Sequence, residues 1–264
     1  DEAMRWYRMR APRAHPGSDQ SHALRARISP RVHTSAEERE WRAAHDVPEG
    51  RLLDIGYMGV FDTVGAHGVG GVLGQFRRGV PGGHGFHDHD LSRLVQSGRH
   101  AIGLDEGRVL YRPTRWTNLD VLNDEAGPDG EGGARYRQEW FPGTHGIIGG
   151  SGAERRIANR VADWIAEGAR VAGLPIHPAQ DADMGVTDGD HLGPVRTDVS
   201  PLDPSGWINF ARRGPGPGEL DRLHAVARRR VAEDPTYRPA SLRHALLDQE
   251  TFAELTRPSG GAVV

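Results

Sequence analysis

A chain of 264 residues leaves room for one large domain or two small ones, and a formal net charge of −3 is not the basic excess of a nucleic-acid binder. There is no cysteine, which excludes a thiol nucleophile, a disulfide framework and a Cys-ligated zinc site. All 33 basic residues are arginine, which excludes a Ser–Lys dyad, a Schiff-base enzyme and a P-loop.

No apolar run approaches the ~20 residues that span a bilayer. The opening stretch from Asp1 to Arg8 resembles neither a translation start nor a signal peptide. Residues 1–10 read as the end of a helix, so the natural protein is expected to extend upstream. Pro12, Pro16, Gly17 and Ser18 make a polar loop. Ser35, with Glu38 three residues on, has the form of a helix N-cap. Pro48-Glu49-Gly50 is a turn, and the apolar run from Leu52 to Phe61 has the length and content of a buried strand in a parallel sheet. That strand ends at Asp62-Thr63-Val64.

Residues 65–90, rich in Gly and His, are expected to form a long loop. Leu91, Leu94, Val95, Ala101 and Ile102 suggest a helix running into a strand over 91–103. Gly127 to Gly133 is a Gly-rich turn, and Arg137 to Phe141 is a second strand running into Pro142-Gly143-Thr144-His145. The clearest helix follows, with Ile157, Val161, Trp164, Ile165, Gly168 and Ala172 at helical spacing and Gly173 as terminator. From about 178 the chain is polar and loop-rich, with a linker-like stretch from Gly214 to Gly218 and a helix expected near 218–233.

Asp62 directly follows one predicted strand and His145 closely follows another. In open α/β sheets functional groups lie at the carboxyl ends of strands, and the order Asp then His matches the last two members of an α/β-hydrolase triad. There an imidazole moves the serine proton while a carboxylate fixes its tautomer. Taken alone, the same Asp also suits a turn or cap, and the His, one of 14, also suits the surface.

Several segments in order carry more: Gly59-Val60-Phe61-Asp62-Thr63-Val64-Gly65-Ala66, Phe86-His87-Asp88, Leu91-Ser92, His100-Ala101-Ile102-Gly103-Leu104-Asp105-Glu106, Arg112-Pro113-Thr114-Arg115-Trp116, Trp140-Phe141-Pro142-Gly143-Thr144-His145 and Gly149-Gly150. Together they resemble the catalytic domain of the type VI secretion phospholipase-effector family, over roughly residues 1–175, with a fainter echo at Tyr237-Arg238-Pro239 and Leu242. The resemblance implies the C-terminal part of an α/β-hydrolase-like fold, a mostly parallel sheet flanked by helices. It implies a serine ester hydrolase of phospholipase or lipase type that meets a lipid or other ester substrate at a membrane surface. It assigns the acid to Asp62 and the base to His145, and pocket or structural roles to Thr63, His87, Asp88 and His100.

Two departures matter. The family's His is commonly followed by Ser-Asp-Val-Gly-Gly-Gly, where this chain has Gly146-Ile147-Ile148-Gly149-Gly150-Ser151. The family's Gly-x-Ser-x-Gly elbow precedes the acid, whereas Ser18, Ser21, Ser29 and Ser35 lack the flanking glycines two residues to either side. Ser151, in Gly149-Gly150-Ser151-Gly152, follows the His and reads as a loop residue. The nucleophile and the first strands are therefore expected upstream, and this chain alone is expected to be inactive. The expected division is a catalytic part over 1–177 and a loop-rich extension over 178–264.

Two other readings stand beside this one. His84, His87, Asp88, His89 and Asp90 offer imidazoles and carboxylates that would suit a metal-dependent hydrolase, although a solvated or substrate-lining loop needs no metal and neither metal nor cofactor is expected. A non-catalytic remnant would keep the scaffold without its serine. Asp105 and Glu106 suit hydrogen-bonded structure, Arg228-Arg229-Arg230 suits a solvated helix end, and the tryptophans suit core positions. The compartment is open between the cytoplasm and export without a classical signal peptide.

Overall fold

A computed structural model describes residues 2–9, 11–64, 89–107, 111–179, 184–195, 216 and 222–242. It divides into two compact units, one built on the chain up to Gly56 with Ser92–Gln96, the other on the chain from Tyr57 with His89–Leu91 and Ser97 onward.

The first unit contains helices α1 (Glu2–Arg8), α2 (Asp19–Ile28) and α3 (Ala36–Ala44), and the short parallel pair β1 (Val32–His33) and β2 (Arg51–Leu52). Ser35 caps α3 by accepting the Glu38 amide at 3.2 Å. Glu38 turns back to accept from Thr34 rather than from the cap residue itself, at 3.0 Å from its N and 2.8 Å from its Oγ1. It also receives Arg25 Nε at 2.8 Å and Arg42 Nη2 at 2.8 Å. Arg42, fully buried, donates further to the carbonyls of Ser29, Pro30, Val32 and Pro48. Both charges are thus paired and hydrogen-bonded, the condition under which burial of a charge is tolerated.

The second unit is organised around a parallel sheet, β3 (Met58–Phe61), β4 (Gly98–Gly103) and β5 (Tyr136–Phe141), in the order β3-β4-β5. Registers run Met58↔Gly98 to Phe61↔Ala101 and Gly98↔Tyr136 to Gly103↔Phe141. Between strands the chain forms α4 (Leu119–Ala126); after β5 come α5 (His145–Ile148), α6 (Arg156–Val171) and α7 (Ala225–Glu233). Alternation along the strands sends neighbours to opposite faces. Ala101 and Phe141 pack with Ile157, Val161 and Trp164 of α6, whereas Ile102 and Trp140 pack with Ala227 and Val231 of α7. Helices therefore cover both faces and β4 is buried along its whole length, as an α/β sheet requires.

The buried stripe Ile157, Val161, Trp164, Ile165 and Gly168 explains α6. Gly168 allows close approach: a Cβ there would lie 2.5 Å from Arg99 Nε. The helix stops at Gly173, at φ 91°, where Gly173 and Leu174 donate to Arg170 O and Ala169 O in a Schellman pattern.

Three expectations are corrected. The run 52–61 is not one strand: Arg51–Leu52 pairs with β1, Ile55 forms an isolated bridge to Val95, and Met58–Phe61 pairs with β4. Residues 91–97 form turns, not a helix; the Asn118 side chain takes up both backbone groups of Leu91, at 2.9 and 3.0 Å. The arginine run is not simply a solvated helix end. Arg230 is 7% exposed, donates to the carbonyls of His191 and Gly193, and lies over the Tyr237 ring.

Candidate functional site

The carboxyl ends of three adjacent parallel strands supply the polar groups of one site. Asp62 follows β3, Asp105 and Glu106 follow β4, and His145 opens the short α5 after β5. His145 therefore begins a helix.

The Asp62 side chain is fully buried. Its Oδ2 accepts from His145 Nδ1 at 3.0 Å and its Oδ1 from the Gly103 amide at 3.1 Å. Its own amide donates to Ala101 O at 2.7 Å, continuing the β3–β4 pairing. Asp62 has φ 44°, in the left-handed region, which Asp tolerates better than most residues. The His145 side chain is 31% exposed, and the Tyr111 ring lies 4.9 Å from its ring, centroid to centroid. Because Nδ1 faces a carboxylate, that nitrogen carries the proton in the neutral imidazole, which leaves the lone pair on Nε2. Among the described residues nothing hydrogen-bonds Nε2. The arrangement can accept a proton at Nε2 while the buried carboxylate stabilises the resulting imidazolium.

The turn after β4 holds the turn that carries His145. The Glu106 carboxylate accepts the His145 amide at 3.2 Å, filling a donor that helix formation leaves open. Asp105 Oδ2 accepts the Gly143 amide at 2.6 Å and the Tyr237 hydroxyl at 2.8 Å, while the Asp105 amide donates to Gly143 O at 3.1 Å. Burial, reinforced by the neighbouring Asp105 carboxylate, pushes the Tyr237 phenol well above its ordinary pKa, so it remains a donor. Gly103 is needed at this crossing: a Cβ there would lie 2.6 Å from Gly143 O.

Behind the acid, the buried His100 accepts the Thr63 amide at Nε2 (3.2 Å) and donates from Nδ1 to Gln138 Oε1 (3.0 Å), which also accepts the Trp116 amide at 2.8 Å. Thr63 and His100 thus fix the backbone that leaves Asp62.

His87 and Asp88 lie outside the described residues, as does His84. His89 and Asp90 are exposed, with Asp90 accepting from Thr117 Oγ1 at 2.6 Å. Among the described residues no group of three or more His, Asp or Glu is placed to hold a metal ion. Ser18 caps α2, Ser21 accepts from Trp6 Nε1, Ser29 is the C-cap of α2 and Ser35 caps α3. Ser151 is exposed between α5 and α6, not in a turn from strand to helix. Sequence reasoning did not single out Tyr111, Gly103 or Tyr237 for the site; Asp105 and Tyr237 are 132 residues apart, and nothing local marks their pairing.

The fold and the placement of these groups at strand ends define an α/β protein with its polar site on the carboxyl edge of a parallel sheet. The model of the family described as T6SS, phospholipase effector Tle1-like, catalytic domain matches residues 1–168, and the chain belongs to that family. No curated protein and no solved structure matches the chain.

Proposed function

We propose that this chain supplies the acid and the base of a Ser-Asp-His triad in a phospholipase-type serine ester hydrolase. The observation that carries the reading is the 3.0 Å contact between the buried Asp62 carboxylate and Nδ1 of the partly exposed His145. Family membership supports a lipid ester as substrate and a membrane surface as the place of encounter.

In this mechanism His145 Nε2 removes the proton of the serine hydroxyl as the oxygen attacks the ester carbonyl. The imidazolium, stabilised by Asp62, returns the proton to the leaving alcohol. Water, activated by the same nitrogen, then resolves the acyl-enzyme. The serine is not among these residues, because no Gly-x-Ser-x-Gly elbow precedes Asp62 and the four upstream serines lack the glycines an elbow needs. It belongs to a preceding part of the natural chain, and the present residues alone do not turn over ester.

The test is phospholipid hydrolysis by the gene product extended upstream in frame, beside its Asp62→Asn and His145→Ala variants. Losses of about 10³- to 10⁴-fold in kcat with an unchanged fold are expected. Undiminished turnover in either variant, or an upstream frame with no elbow serine, overturns the reading.

A further inference from the structure

The segment that follows α7 reaches back to the turn after β4. Tyr237 donates to Asp105, and Ser241 Oγ donates to Leu104 O at 2.8 Å. Tyr237 and Leu242 are buried in the core cluster that includes Ile102 and Leu104. These contacts come from residues outside the stretch 1–168 that the family model matches. They act on the four-residue stretch Gly103 to Glu106, which touches both members of the pair: Gly103 donates to Asp62, and Asp105 and Glu106 hold Gly143 and His145.

We propose that Tyr237 is a positioning residue for the Asp62–His145 pair, acting through Asp105 on the turn that carries His145. This rests on the reading of those two residues as acid and base. The reasoning is geometric. Asp105 Oδ2 is a shared acceptor, receiving the Tyr237 hydroxyl at 2.8 Å and the Gly143 amide at 2.6 Å. Gly143 lies two residues before His145, at φ 123°, and a Cβ there would lie 2.7 Å from Ile147 Cγ2. A turn so tightly packed has one arrangement, and the carboxylate that selects it is oriented by the phenol. Removing the hydroxyl takes away one of the bonds that orient the Asp105 carboxylate, weakens its hold on Gly143 and so weakens the placement of the imidazole against Asp62. The segment that follows the stretch matched by the family model is therefore part of the scaffold of the site.

The proton shared between His145 Nδ1 and Asp62 gives a downfield proton NMR resonance whose exchange with solvent reports the pair directly, without need of a nucleophile. The experiment uses the full 264-residue chain, with His145→Gln to assign the resonance. Tyr237→Phe is expected to speed exchange about ten- to a hundredfold, the factor that a hydrogen bond to a charged group carries. Tyr57→Phe is the control: it deletes a phenol hydrogen bond of similar length, 2.7 Å to Ile165 O, and is expected to leave the exchange rate unchanged. Should Tyr237→Phe fail to fold, Asp105→Ala, which removes the acceptor shared by Tyr237 and Gly143, carries the same expectation. A resonance indifferent to Tyr237→Phe, or equally sensitive to Tyr57→Phe, overturns the positioning role and leaves the acid–base reading intact. A wild-type chain with no such resonance, or one that survives Asp62→Asn, overturns both.

Discussion

Glu38 offers a sharp energetic test of the structure. Its side chain is fully buried. Burial alone would raise its pKa, but hydrogen bonds from Thr34, Arg25 and Arg42 overcome this and bring it down to about 2 from the ordinary 4.5. The folded-state value is the depressed one, so the stabilisation is present above pH 4.5 and is lost as pH falls towards 2. A shift of this size corresponds to about 3 kcal/mol, at 1.36 kcal/mol for each pKa unit. Glu38→Gln keeps the shape but, like the protonated acid, offers one acceptor oxygen and one donor at every pH. Urea unfolding followed by tryptophan fluorescence should show the wild type more stable by about 3 kcal/mol at pH 7, with the gap shrinking below about 1 kcal/mol at pH 2. The other carboxylates are common to both chains, so the difference isolates Glu38. A gap that stays constant across this range would refute the reasoning, because it would assign the loss to packing and not to charge.

Further outcomes follow from other sites. Gly103→Ala should cost about 1–3 kcal/mol in thermal or urea unfolding, because the new Cβ would meet Gly143 O at 2.6 Å. Burial, with help from Arg137 and Arg99, lowers the His224 pKa to about 3. His224 therefore contributes stability above pH 6.5 that is lost as pH falls towards 3, and His224→Asn, which retains a cap for α7, should flatten that part of the stability–pH curve. His22 has both ring nitrogens buried without a hydrogen-bond partner among the described residues, and burial lowers its pKa. His22→Leu should be as stable as the parent or more so, with the advantage growing as pH falls below 6.5 in the same unfolding assay. Ser151→Ala should leave turnover of the upstream-extended enzyme unchanged, since Ser151 is exposed between two helices.

The sequence made the local elements legible wherever one periodic pattern met one partner. The stripe on α6, the Ser35 cap and the strand ending at Phe141 are all of this kind. The run 52–61 was misread because its apolar pattern is continuous while it meets three partners in turn, and periodicity carries no record of the partner. The turn at 91–97 was misread because Leu91 and Val95 sit at helical spacing, whereas the Asn118 side chain claims the backbone of Leu91. At the site, motif order and strand ends pointed to Asp62 and His145, and the two meet. Their supports were harder to see, because Glu106 acts on a backbone amide and Tyr237 acts from 132 residues away from Asp105.

The left-handed backbone of Asp62, at φ 44°, narrows the evolutionary choices at that position. Asn shares the short side chain that makes this conformation tolerable, and the Asp-to-Asn exchange needs one base change in the codon. Such a change would remove the charge behind His145 and leave the backbone undisturbed. Glu would have to fit a longer arm into a buried space already matched to Gly103 and His145, on a backbone it rarely adopts. If Asp62 is the acid of the proposed triad, one base change separates the complete enzyme from a silent homologue, while a glutamate-based relative requires rebuilding the end of the strand.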